Sequence, residues 1–192
     1  MQHIQFGFIV VCFIIAAYYK RPWPALFTAG ADLFLVIMLW DEIGVTVFIA
    51  AHLCYIVRFS GNKKLLPFCA LFIIPAAFLA WLSTNFDLPS RITPYLVFMA
   101  VVYAQCFGTA IFLALKGFIT KSFPKKNGAM IAAGMLLFAM CDICVLIYSL
   151  RLGSVSSTAH SLIWVFYAPS QLLLALSAKG FVYSKAANID TD

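Results

Sequence analysis

Two carboxylates and one imidazole interrupt stretches that are otherwise apolar: Asp32, His52 and Asp142. An ionised side chain at bilayer depth costs roughly 3 kcal/mol by insertion scales, and those that persist face a bundle interior or a water-filled cavity. The chemistry open to this set is proton transfer. Intramembrane aspartates and histidines are the side chains that proton relays use. Each residue taken alone also fits interhelical hydrogen bonding. Three of them on three separate spans in 192 residues point to one shared polar site.

The elements that must position them are membrane helices. The chain is 64% hydrophobic and 10% charged, with a mean hydropathy of +0.99, against about 25% charged residues in a soluble domain. This composition predicts an all-α polytopic transmembrane bundle, a single domain over residues 1–185 with a short cytoplasmic tail at 186–192. The net charge of +6 sits between apolar segments. It therefore reads as topology signal and headgroup contact, with membrane lipids as partners and no nucleic acid. The six cysteines (Cys12, Cys54, Cys69, Cys106, Cys141 and Cys144) all fall in apolar segments and read as free, buried, small hydrophobes. Cys141 and Cys144 spell C-x-x-C, but no second pair completes a metal site, so neither metal nor cofactor is expected. The N-terminus has no basic run ahead of its apolar stretch and reads as an uncleaved first helix.

Seven segments meet the length of a spanning helix: Ile4–Tyr19, Pro22–Trp40, Gly44–Phe59, Leu65–Leu82, Ile92–Leu115, Gly128–Leu150 and Ala159–Val182. Alternate loops and the tail carry Lys20, Arg21, Arg58, Lys63, Lys64, Lys116, Lys121, Lys125, Lys126, Lys179 and Lys185, leaving only Arg91 and Arg151 on the opposite side. The positive-inside rule then sets the N-terminus outside and the C-terminus in the cytoplasm of a cell membrane. Trp23, Trp40 and Trp81 lie near segment ends, as an aromatic belt requires. Asp32 is about ten residues, or roughly 15 Å, into the second span, His52 is near the middle of the third, and Asp142 is past the midpoint of the sixth. In the seventh span His160, Trp164, Tyr167 and Gln171 are spaced to line one face, while Tyr103, Gln105 and Thr109 add polarity to the fifth.

The contexts of these residues carry a resemblance. Phe27-Thr-Ala-Gly-Ala-Asp32, Phe48-Ile-Ala-Ala-His52-Leu-Cys-Tyr55, Gly134-Met-Leu-Leu-Phe138-Ala-Met-Cys-Asp142 and Tyr167-Ala-Pro-Ser-Gln171 resemble, in order, four motifs of the lysoplasmalogenase (YhhN-like) integral membrane family. These are a Gly-Asp helix, a Phe-x-x-x-His-x-x-Tyr helix, a Gly-x-x-x-Phe-x-x-Ser-Asp helix and a final Tyr-x-x-x-Gln helix. Ala31 stands where the family has glycine, and Cys141 where it has serine. The family usually has eight spans, with a Lys-Pro pair opening the second; loss of one N-terminal helix accounts for the seven counted here. The resemblance implies a hydrolase that cleaves the vinyl-ether bond of a lysophospholipid substrate, a lysoplasmalogen. Asp32 and Asp142 would be the catalytic pair, His52 would tune them or relay protons, and Tyr55, Tyr167 and Gln171 would contact the substrate.

Other classes make different demands. A small proton-coupled membrane transporter also uses intramembrane Asp and His, and is favoured by broken helices and inverted repeats. A seven-helix photoreceptor needs a Schiff-base lysine in mid-span seven, where the sequence reads Tyr167 to Gln171 and Lys179 comes only near the end. A structural protein would use these polar groups only as interhelical glue.

Overall fold

The computed structural model describes residues 2–20, 22–60, 73–85, 93–149 and 155–179. Among these, all regular structure is helical. In chain order the helices are α1 (Gln2–Tyr18), α2 (Trp23–Asp32) continuing as a π-helix π1 (Leu33–Met38), α3 (Asp41–Ser60), α4 (Ile73–Ser83), α5 (Pro94–Ile119), α6 (Lys125–Ser149) and α7 (Val155–Leu176). Each of the seven segments expected from hydropathy holds one of them. Helices α3, α5 and α6, and Thr158–Leu176 of α7, are long and apolar enough to cross a membrane, and Phe6–Tyr18 and Trp23–Met38 are shorter apolar helices. The protein is an all-α membrane bundle. The tail at 186–192, Cys69, and the two arginines assigned to the outer side, Arg91 and Arg151, lie outside the described residues.

The helices are built inside out relative to a soluble protein. Helix α6 buries small and medium residues (Gly128, Ala132, Gly134, Met135, Cys141) and exposes Leu136, Met140, Ile143 and Leu146. Lipid tails are as apolar as leucine, so large side chains lose nothing by facing outward, and small ones let backbones approach. Trp23, Trp40 and Trp81 are all more than half exposed, as belt residues should be.

The chain divides into two compact units. One, Trp23–Leu113, contains α2, π1, α3, α4 and most of α5. Its core is the α2–π1–α3 hairpin, in which Gly30 faces Val47 and Gly44 lies under Leu35. The hairpin turns at Leu39, held at φ 57°, while the Trp40 N–H donates to the Phe34 carbonyl at 2.8 Å and the Phe34 and Trp40 rings stack. Asp41 and Glu42 in the first turn of α3 complement its dipole. Thr93 caps α5 by accepting from the Leu96 N–H at 3.1 Å, and its hydroxyl donates to Glu42 Oε1 at 2.7 Å, tying the starts of α3 and α5.

The other unit, His3–Pro22 with Ala114–Asp192, contains α1, the end of α5, and the packed α6–α7 pair. Helix α1 buries Ile9, Cys12 and Ala16 along one face. Gly134 is the close-approach point of α6 and α7: a Cβ there would lie 2.9 Å from Leu174 Cγ and 3.2 Å from the Ser170 carbonyl oxygen. About two turns nearer the start of α6, the buried Asn127 carboxamide donates to the carbonyls of Ser177 and Lys179 at 2.7 and 2.6 Å. It satisfies two carbonyls that the end of α7 leaves without helical partners.

Candidate functional site

Asp32 is the last α-helical residue before π1, and it is 4% exposed. Short π segments are rare and gather at functional sites. Thr28, one turn earlier on the same face of α2, is also buried and turns its hydroxyl back onto the Pro24 carbonyl at 2.9 Å. The polar face of α2 is therefore Thr28 and Asp32. Gly30, about 200° around the helix from Asp32, is the side that meets Val47.

His52 is completely buried on α3, along the face that carries Gly44, Phe48, Ala51, Tyr55, Ile56 and Phe59. Its Nδ1 lies 2.8 Å from the Phe48 carbonyl oxygen. A carbonyl only accepts, so Nδ1 carries the hydrogen, and in the neutral ring Nε2 is the acceptor. The ring is boxed by Tyr103 at 5.0 Å and Phe107 at 4.8 Å, both edge-on from α5, with Tyr55 at 6.0 Å and Phe48 at 6.3 Å from α3. Edge-to-face contacts at these spacings are the preferred aromatic geometry, so tautomer and ring plane are both set. Asp32 lies two residues from Gly30 toward the turn, and His52 five residues from Val47 away from it. Their backbones thus stand about 10 Å apart along the hairpin axis. Both Cα–Cβ bonds lean toward their helix N-termini, which narrows the gap from each side.

In the second unit Asp142 is half-buried on α6, one turn beyond the buried Phe138 and beside the buried Cys141. Tyr167 and Gln171 are both buried on α7. The Tyr167 ring meets Phe138 at 5.5 Å and Trp164 at 5.4 Å. Ser170 joins the two α7 residues: its hydroxyl donates to the Tyr167 carbonyl at 2.9 Å and accepts from Gln171 Nε2 at 3.4 Å. Pro169 lies inside α7 and removes the backbone donor that would otherwise reach Val165, a local loosening of the helix beside these residues. His160 is exposed at the other end of α7, its ring 4.8 Å from that of Tyr148.

Asp32, His52 and Tyr55 thus belong to one unit and Asp142, Tyr167 and Gln171 to the other. Cys12, Cys106, Cys141 and Cys144 are buried and Cys54 is half-buried, and none of the five is in a disulfide. Among the described residues no three His, Cys, Asp or Glu side chains group as metal ligands.

The pattern of the YhhN family matches residues 8–178. The chain belongs to the YhhN family. No curated protein and no solved structure matches it. The match runs from α1 to just past α7, so it takes in both units and every residue discussed above.

Several residues near these side chains of the YhhN-family chain carry no mark in the sequence. Thr28 and Ser170 are small hydroxyls in apolar helices that bond backbone carbonyls three or four residues back, a common local arrangement. The spacing Thr28–Asp32, one helical turn, is the signal that could have paired Thr28 with the acid. Phe107 stands one turn after Tyr103 on α5, and only the position of His52 gives that pair its meaning.

Proposed function

We propose that this protein is a membrane-embedded lysoplasmalogenase-like hydrolase. It would cleave the vinyl-ether bond of a lysoplasmalogen to a fatty aldehyde and a glycerophospho-ethanolamine or -choline. The observation that carries the reading is Asp32, 4% exposed at the α-to-π junction of an apolar span in a YhhN-family chain. Vinyl ethers are cleaved by acid. Protonation of the alkenyl carbon distal to oxygen gives an oxocarbenium ion, water adds to it, and the resulting hemiacetal collapses to aldehyde and alcohol. The sum is one water consumed and one C–O bond broken, with no oxidant and no group carrier. Asp32 and Asp142 form the acid–base pair of this reading, one donating the proton and the other stabilising the cation or activating water. His52, with its tautomer set by Phe48, relays or tunes the proton. Tyr55, Tyr167 and Gln171 hold the glycerol oxygens or the water. A single-chain substrate already resides in the bilayer and enters sideways.

The test is aldehyde release from a lyso-alkenyl lipid by Asp32→Asn and Asp142→Asn. Each should lose about 10²–10⁴-fold, the usual worth of a positioned acid or base, with normal membrane insertion. Full activity in both variants ends the assignment.

One observation favours a second reading. Transporters bind at helices broken near the bilayer midplane, and here α2 changes winding immediately after Asp32 while α7 contains Pro169. Proton-driven flux in proteoliposomes without aldehyde release would decide for a small proton-coupled transporter.

A further inference from the structure

The lysines at one end of the α5–α6–α7 assembly are held in place by more than their sequence. Lys116 lies in the last turn of α5, Lys121 in the turn after it, Lys125 and Lys126 in the first turn of α6, and Lys179 just past α7; all five are exposed. Three devices bring them together. Helix α5 ends on the Ser122 N–H donating to the Gly117 carbonyl at 3.0 Å, with Lys121 in the left-handed region at φ 55°. Glycine normally occupies that position, because an L side chain crowds the following carbonyl there. The Phe123 ring covers Gly117, where any Cβ would collide with it, which pins the turn against α5. Asn127 grips the carbonyls of Ser177 and Lys179, fixing Lys179 beside the start of α6 although it is 53 positions after Lys126 in the chain.

Among the described residues of α5 from Ala114 on, α6 and α7, the one carboxylate is Asp142, sixteen residues up α6 from Lys126, or about 24 Å. That exceeds the Debye length of about 8 Å at physiological salt. A topology signal alone would need only net charge in the loop. It would not need a lysine where glycine is the easier residue, nor a buried amide reaching across to the end of α7.

We infer that this end of the α5–α6–α7 assembly is a binding site for the headgroup of an anionic phospholipid. Its ammonium groups would meet the phosphate of a lipid in the adjacent leaflet while the lipid's chains lie along the exposed apolar flanks of the helices. The inference does not depend on the hydrolase reading.

Lys121→Gly separates charge from fold, because glycine suits φ 55° better than lysine does. The purified full chain would be equilibrated with equimolar phosphatidylglycerol and phosphatidylcholine and its retained lipid measured by mass spectrometry. Phosphatidylglycerol should be enriched over phosphatidylcholine. Lys121→Gly should lower that enrichment about fivefold, the worth of one surface lysine near anionic lipid, with an unchanged or higher unfolding temperature. Lys126→Gln should lower it by a similar factor, and Lys121→Arg should retain it. Equal retention of the two lipids by the parent protein, or undiminished enrichment in both Lys121→Gly and Lys126→Gln, overturns the site. Binding of inorganic phosphate in lipid-free detergent, strong enough to abolish the enrichment at millimolar concentration, would assign the lysines to a soluble anion instead and also overturns it.

Discussion

At His52 the side chain that could move a proton is held by a backbone carbonyl and by aromatic rings. The Phe48 carbonyl takes the Nδ1 hydrogen, and Tyr103 and Phe107 set the ring plane. His52→Phe keeps an aromatic ring in that box and removes the nitrogen chemistry. If His52 lies on the proton path, aldehyde release should fall by about 10²-fold or more. The lost hydrogen bond itself is worth only about 0.5–1.5 kcal/mol, so the unfolding temperature in detergent should change little. Unchanged activity would reduce the residue to packing. The ionisable residues could be picked from the sequence because each contradicts its surroundings: an Asp or His among Leu, Phe and Ala is costly unless it has a use. The aromatic box could not. With 19 phenylalanines in 192 residues, Phe48 and Phe107 look like any others. Thr28, Ser170 and Asn127 were hidden for a related reason. A short polar side chain can bond its own helix or a neighbouring one, and sequence does not distinguish a residue that spans helices, like Asn127, from one that bonds its own turn.

At the scale of elements, hydropathy locates the spans well and their winding poorly. Leu33–Met38 contains no glycine or proline, reads as ordinary apolar helix, and is π. The change of winding falls between an acid and a turn whose Leu39 is left-handed, a combination that tertiary context imposes on a sequence without local markers for it. Closer to the reach of sequence is Gly134, which sits in a run of small residues of the kind that permits close helix packing. Gly134→Ala should destabilise the α6–α7 pair by about 1–3 kcal/mol, since its new methyl meets Leu174 and the Ser170 carbonyl inside a packed seam. Asn127→Ala should cost about 1–3 kcal/mol by removing its two hydrogen bonds to the end of α7, each worth about 0.5–1.5 kcal/mol. Both would be read as a lower unfolding temperature in one detergent. An unchanged value for Asn127→Ala would mean that water serves those carbonyls equally well.

For the whole molecule the ruling physics is charge against bilayer. Eleven of the thirteen basic residues fall on alternate loops and the tail when seven spans are counted, and adding or removing one span upstream of them reverses the sides of every loop that follows relative to the N-terminus. All seven expected segments contain a helix, although for the fourth the described part is only Ile73–Ser83. Whether that segment crosses decides on which faces the two termini lie. If it spans, the termini lie on opposite faces and the C-terminus is cytoplasmic. Reporters that are active on only one face, fused after the C-terminal tail and, separately, inserted between Ser122 and Phe123, should both report the cytoplasm, and one inserted after Asn85 should report the outside. If Ile73–Ser83 instead re-enters without crossing, the Asn85 insertion and the insertion after Ser122 will fall on opposite faces as before, but a reporter inserted directly after Ser60 will share the face of the Asn85 insertion. That outcome would set α2–π1–α3 upside down relative to the charge assignment. Asp32 would then be counted from the opposite leaflet, and the seven-span arrangement would have to be abandoned.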